Sequence, residues 1–303
     1  MKTQRLLFIA LFLLLFATFT CAQTTNKSLD KKIRKEIKSF KGKVTLFAKN
    51  LDTGASYGIG EDERIRTAST IKVPIMAATF ALVTEGQFKW SDELILTKEK
   101  KVGGAGILPE FGDGLKITLR DAVHLMIVLS DNTATNLVLD HITADAINDK
   151  LELFGLKITR SLRKINGGGE SKLFSADWNK KLDGSPSRYG IGVSTPREMV
   201  MLLEKIERGE IVTPEAAKEM ISILKRQQYH DGIARSVKEM ETATKPGALD
   251  ALRSDIGIFY TKHGRIVMAI TCDEIPVIDW SVDNPAQLLM ARLSLLLIDG
   301  LGK

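Results

Sequence analysis

Apolar positions along the chain switch between two periods. Leu29, Ile33, Ile37 and Phe40 recur at helical spacing among lysines, which predicts an amphipathic helix. Residues 43–49 follow as a strand, with Val44, Leu46 and Phe47 as its apolar members. Asp52-Thr53-Gly54 reads as a turn, and residues 56–60 as the returning strand. The middle of the chain is helical. Residues 73–82 are apolar and alanine-rich, and residues 118–129 carry Leu119, Val123, Met126 and Ile127 on one face. Further helices are expected over 132–140, 145–154 and 196–208. Between them, residues 165–193 are rich in Gly, Ser and Lys, and a loop this long inside a compact domain is usually functional or mobile. Strands return at 242–248, 255–261 and 265–272, with His263-Gly264 as the tight turn between the last two. Residues 284–298 close as a helix, with Pro285 in its first turn.

Strands at both ends and helices between them imply an α+β fold. An antiparallel sheet with flanking helices is built from both termini, and an all-helical domain is inserted. Residues 23–66 and 212–303 are expected to form the sheet domain, and residues 67–211 the helical one. No internal repeat is present.

The first 22 residues stand apart. Lys2 and Arg5 precede the apolar run from Leu6 to Phe16, and Thr20-Cys21-Ala22 supplies small residues before Gln23. That is the pattern of a secretory signal peptide cleaved after Ala22. The run is shorter than the roughly 20 apolar residues of a membrane span. Export to the periplasm or medium is expected, with a lipid anchor on Cys21 as the rival outcome. Cleavage leaves Cys272 alone, so no intramolecular disulfide can form. Cys272 ends an apolar strand, which predicts a buried core thiol rather than a nucleophile.

Composition changes this picture little. The 303 residues include 44% hydrophobic and 26% charged, which excludes collagen, coiled coil and extended disorder. The formal charge of +6 falls to +4 without Lys2 and Arg5, too mild to argue for nucleic acid. His124, His141, His230 and His263 show no metal-ligand spacing, so neither a metal nor another cofactor is expected.

Candidate chemistry begins at Ser69-Thr-Ile-Lys72. Residues three apart share a helix face, so the Ser hydroxyl can sit beside the Lys amine. A neutral amine there can take the hydroxyl proton and make a nucleophile. The spacing alone is weak, since Ser-x-x-Lys also occurs at Ser28, Ser161 and Ser222. Context selects Ser69: proline is tolerated only in a helix's first turn, so Pro74 places the helix start near Ile71. Ser69 then lies at the positive end of the helix dipole. Ser130-Asp131-Asn132 falls at a turn between two helices, where Asp131 or Asn132 can cap the second. Lys245-Pro246-Gly247 lies on the first strand of the late meander.

Ser-x-x-Lys, Ser-Asp-Asn and Lys-x-Gly in this order form the motif set of class A β-lactamases and penicillin-binding proteins. The chain resembles the class A β-lactamase family and its related serine hydrolases. The resemblance extends over essentially the whole mature chain, including 125–136, 194–199 and 255–258. It implies that Ser69 attacks the substrate carbonyl and becomes acylated. Lys72 would be a general base, and Ser130 would pass a proton to the leaving nitrogen. Lys245 would hold Ser130 and attract the substrate carboxylate, and Asn132 would bind the substrate's amide side chain. Gly247 and Ala248 would line the substrate, with the N–H groups of Ser69 and Ala248 as oxyanion hole. The implied partner is a small β-lactam or cell-wall peptide, acted on by a monomer.

Two departures stand out. Pro246 replaces the family's Thr or Ser, which weakens carboxylate binding. Arg253 is a candidate to compensate, or else a solvated surface residue. The family's deacylating Glu sits on a loop, with Leu and Asn three and four residues on. Here Glu170 and Leu173 fit, but Phe174 replaces the Asn. Glu170 is therefore either the catalytic base or a solvated loop carboxylate, with Asp177 and Asp183 as weaker substitutes. The expected activity is β-lactam hydrolysis through a Ser69 acyl-enzyme. The rivals are a slowly deacylating D,D-peptidase or esterase and, more remotely, a non-catalytic β-lactam sensor.

Overall fold

The computed structural model describes residues 27–174, 186–237 and 239–302. The proposed signal peptide, Asp177 and Asp183 lie outside these residues. Helix α1 (Lys27–Ile37) buries Leu29 and Ile33. It leads into β1 (Lys43–Asn50) and β2 (Ser56–Ile59). After β3 (Ile65–Arg66), a 3₁₀ turn (Ala68–Ile71) runs directly into α2 (Lys72–Thr84). Strands β4 (Glu93–Ile95) and β5 (Lys116–Thr118) precede α3 (Leu119–Val128), α4 (Asn132–Ile142) and α5 (Ala144–Leu153). Next come β6 (Arg160–Ser161), α6 (Pro186–Tyr189), β7 (Gly192–Ser194), α7 (Pro196–Glu207) and α8 (Pro214–Leu224). The chain closes with β8 (Thr242–Leu249), β9 (Leu252–Thr261), β10 (Gly264–Asp273) and α9 (Pro285–Leu301).

The main sheet has the order β2-β1-β10-β9-β8 and is antiparallel throughout. Each strand alternates its side chains between two cores. Ala243, Ile256, Ile258 and Val267 join α2, α3, α4 and α7 in the larger cluster. Phe259, Ile266, Met268 and Ile270 meet α1 and α9 in the other. Cys272 is fully buried in this second core, which pushes its thiol pKa up and leaves it inert. Helix α2 is buried nearly all round, as befits the central helix of the helical layer.

Several helix starts follow from capping. Thr118 and Asp121 make a reciprocal capping box on α3. Thr195 and Thr213 cap α7 and α8, each followed by Pro at the first helical position. The sequence pattern did not predict α8, although Thr213-Pro214 carries this start signal. The expected loop 165–193 contains α6 and β7, and β7 joins β3 and β6 in a small sheet. The second meander strand starts at Leu252, three residues before the expected position. Thr261 pairs with Gly264, so Lys262-His263 form the turn.

Candidate active site

The nucleophile turn is held from two sides. Ala68 has φ 46°, a left-handed conformation unusual for a residue with a Cβ, and Ser69 follows it half-buried. Gly247 on β8 presses against this turn. A Cβ there would lie 2.8 Å from Ser69 N and 3.0 Å from Thr67 O, so only glycine permits the approach. Strand β8 is thereby fixed against the start of the helix that carries Lys72. The Ser69 and Ala248 amides end up on neighbouring backbone, as an oxyanion hole requires.

Lys72 is completely buried and donates to Ser130 O (2.7 Å), Ser130 Oγ (3.2 Å) and Asn132 Oδ1 (3.0 Å). As an ammonium it fills three acceptors. Burial and the nearby Lys245 cation push its pKa well below the ordinary lysine value, against the opposing pull of Asp131. Loss of one proton frees a lone pair on the helix turn that carries Ser69. Lys245, also fully buried, donates to Ser130 Oγ (2.9 Å) and to Pro246 O (2.8 Å). Burial lowers its pKa to about 7. Ser130 therefore accepts from two lysines, and its own proton is left for a third partner. Its φ of 52° is strained for a serine, a feature typical of functional sites.

Asp131 explains why Ser130 stands there. Its Oδ1 accepts from Ala134 N (2.8 Å) and caps α4. Its Oδ2 accepts from Ile107 N (2.7 Å) and Leu108 N (2.9 Å). The capping role expected of Asp131 or Asn132 thus belongs to Asp131. Asn132 faces Lys72 and gives its amide hydrogen to Gly103 O (3.0 Å).

Ser69, Lys72, Ser130, Asn132, Lys245, Gly247 and Ala248 converge on one cleft. Strand β8 continues unbroken through Pro246 because β8 is the sheet edge, where a missing N–H costs no ladder bond.

Two candidates do not join this cluster. Glu170 is exposed, and its Oε1 accepts from Gly168 N (2.9 Å) in its own loop. Backbone N–H donors hold its pKa below the usual carboxylate range, which makes it a weaker base. The structure favours the solvated loop carboxylate. Phe174 leaves the cleft too, packing beside Leu162, Tyr189 and Val193. Arg253 is the second correction. It is only 3% exposed and donates to Leu249 O (2.6 Å), Leu252 O (2.8 Å) and Asp279 O. Its charge is committed to carbonyls and to the Trp280 ring, 4.7 Å away.

Sequence reasoning gave no role to Asn136, one turn after Asn132. Its amide donates to Ile165 O (3.1 Å) and accepts from Ile165 N (2.9 Å), clamping the long loop to α4. The i, i+4 spacing of the two asparagines was the available signal. Asp255 was also missed as a site-adjacent residue. Among the described residues, no group of three or more His, Cys, Asp or Glu can hold a metal ion.

A family model described as the β-lactamase enzyme family matches residues 28–301. A β-lactamase of Rhodobacter capsulatus is 25% identical over 225 residues, covering 74% of this chain and 71% of that protein. The solved β-lactamase of Sphaerobacter thermophilus superposes with a TM-score of 0.77 at 25% identity, covering 91% of this chain and 97% of its own. A mutant of PBP-A, solved as an acyl-enzyme complex with penicillin G, gives a TM-score of 0.75 at 26% identity, covering 90% and 96%.

Proposed function

The chain belongs to the β-lactamase enzyme family, and from that premise we propose that it opens the β-lactam ring through an acyl-enzyme on Ser69. The observation that carries this reading is the Lys72–Ser130–Lys245 network beside the Ser69 turn. Neutral Lys72 takes the Ser69 proton as Oγ bonds to the lactam carbonyl carbon. The developing oxyanion meets the Ser69 and Ala248 amides, each such donor being worth about 3 kcal/mol of barrier. As the C–N bond breaks, Ser130 gives its proton to the departing nitrogen. Lys72, 3.2 Å from Ser130 Oγ, passes on to Ser130 the proton it took from Ser69, while Lys245 holds Ser130 in place. Substitution of Ser69 by Ala is the test: loss of both the covalent adduct and hydrolysis is expected. Retained hydrolysis removes Ser69 from the mechanism.

One observation favours a second reading. Glu170 is turned into its own loop, so this carboxylate is not poised as a base for fast ester hydrolysis. A slowly deacylating peptidase or esterase of the same family shares all the acylating groups. Release of D-alanine from a D-Ala-D-Ala peptide, faster than hydrolysis of penicillin, favours that reading. The mutant PBP-A trapped with penicillin G as an acyl-enzyme supports the shared first step.

Export completes the proposal. Its support is the basic, then apolar, then small-residue pattern of residues 1–22. N-terminal sequencing of the natural protein distinguishes a free Gln23 from a lipidated Cys21. A monomer is part of the same proposal, measurable by sedimentation.

A further inference from the structure

Among the described residues, the shoulder of the cleft beside Lys245 is short of free cations. In a penicillin, the carboxylate sits on the carbon attached to the lactam nitrogen. If that nitrogen takes the Ser130 proton, the carboxylate lands beside Lys245 and residue 246. Four observations describe what it would meet. Pro246 offers neither a hydroxyl nor an N–H on the open edge of β8. Arg253, the cross-strand partner of Ala248, has its guanidinium bound to three carbonyls and covered by Trp280. Arg235, near the same face through the 232–235 turn, is bound to Val282 O and Asp283 Oδ1 (2.5 Å). Asp255, the cross-strand partner of Pro246, puts a carboxyl on that face.

Asp255 lies buried behind Pro246 and brings no positive charge to the shoulder. It is 2% exposed. Its Oδ2 accepts from Ile233 N (3.1 Å), and its Oδ1 has no partner among the described residues. Gly232 leaves it room, since a Cβ there would come within 2.3 Å of Oδ2. Burial raises its pKa to about 7, so a fraction is ionised at neutral pH. Among the described residues, Lys245 is the cation beside the shoulder, and two of its hydrogens already go to Ser130 Oγ and Pro246 O. The exposed surface next to Arg253 is the indole of Trp280.

We propose, building on the acyl-enzyme reading above, that this cleft takes acyl donors that are uncharged where a penicillin carries its carboxylate. Neutral esters of β-lactams are substrates on a par with the free acids.

Penicillin G and its methyl ester test this directly. Second-order acylation of the wild-type enzyme by each is followed by intact-protein mass spectrometry. Each rate is divided by the compound's own hydroxide hydrolysis rate. The ester is expected within about threefold of the acid, because no arginine or hydroxyl hydrogen bond to the carboxylate is lost. In Pro246→Thr the added hydroxyl is expected to favour the acid by about tenfold. A wild-type preference for the acid of a hundredfold overturns the proposal and leaves the acyl-enzyme intact. So does a Pro246→Thr variant whose acid-to-ester ratio equals that of the wild type. Acylation by neither compound overturns the acyl-enzyme reading, and this proposal with it.

Discussion

At the residue scale, the site depends on two lysines removed from water. Burial makes Lys72 a usable base, and Lys245 must stay charged to polarise Ser130. Acylation is therefore expected to fall as pH rises through about 7, where Lys245 loses its proton. Lys245→Arg keeps a positive charge at all accessible pH. Its residual acylation should lack that alkaline limb, and identical limbs in a pH–rate profile would remove Lys245 from this role. Glu170 offers the opposite case. Its carboxylate is exposed and bonded within its own loop. Glu170→Gln should leave the rate of adduct clearance unchanged within about twofold. A tenfold or larger slowing would restore it as the base. These nucleophilic residues were legible in the sequence because motif order and Pro74 selected one Ser-x-x-Lys among four. Arg253 was misread because its carbonyl partners come from a turn and a loop that spacing does not bring together.

At the element scale, the cleft is a junction of one helix start, one helix–helix turn and one strand edge. Asp131 holds the turn with three backbone N–H groups. Asp131→Ala leaves those buried donors unsatisfied, and a loss of about 3 kcal/mol is expected in denaturant unfolding. A loss under about 1 kcal/mol would mean the turn is held otherwise. Asn136 fixes the long loop at Ile165. One turn away on α4, Asn132 touches Lys72. Position 165 is thus a loop point tied one helical turn away from the residue that touches Lys72. Ile165→Glu places a carboxylate there, and adduct clearance is expected to speed up at least about tenfold, in line with general-base catalysis. Unchanged clearance would show that the clamp does not aim residue 165 at the ester. Helices α1 to α5, α7 and α9 and the meander strands were legible from the apolar pattern, whereas α6 and α8 were not. Strands of two or three residues such as β3, β6 and β7 carry too few positions to show a period. The paired asparagines hinted at the clamp, but its partner is backbone, 29 residues away in sequence.

At the scale of the whole molecule, the site is costly to fold. Lys245 titrates near 7 when folded against 10.5 ordinarily. Between these values the unfolded chain holds the extra proton, so this group makes stability rise with pH from about 7 to 10.5. Asp255 titrates near 7 against 3.8. Here the folded protein holds the extra proton, so stability falls as pH rises from about 4 to 7. Each contributes a slope of up to ~1.4 kcal/mol per pH unit in its window. Together they dig a stability minimum near neutrality. In Lys245→Met/Asp255→Asn, melting temperatures across pH 5 to 9 should show that dip flattened. A dip of equal depth in the variant would place its origin elsewhere.

The most direct test of the Ser69 acyl-enzyme is time-resolved intact-protein mass spectrometry with a penicillin. Ring opening keeps the leaving nitrogen tethered, so the expected adduct carries the full mass of the drug. It should map to Ser69 and clear as hydrolysed drug accumulates in solution. Hydrolysis with no adduct at any time, or an adduct that also forms on Ser69→Ala, would contradict it.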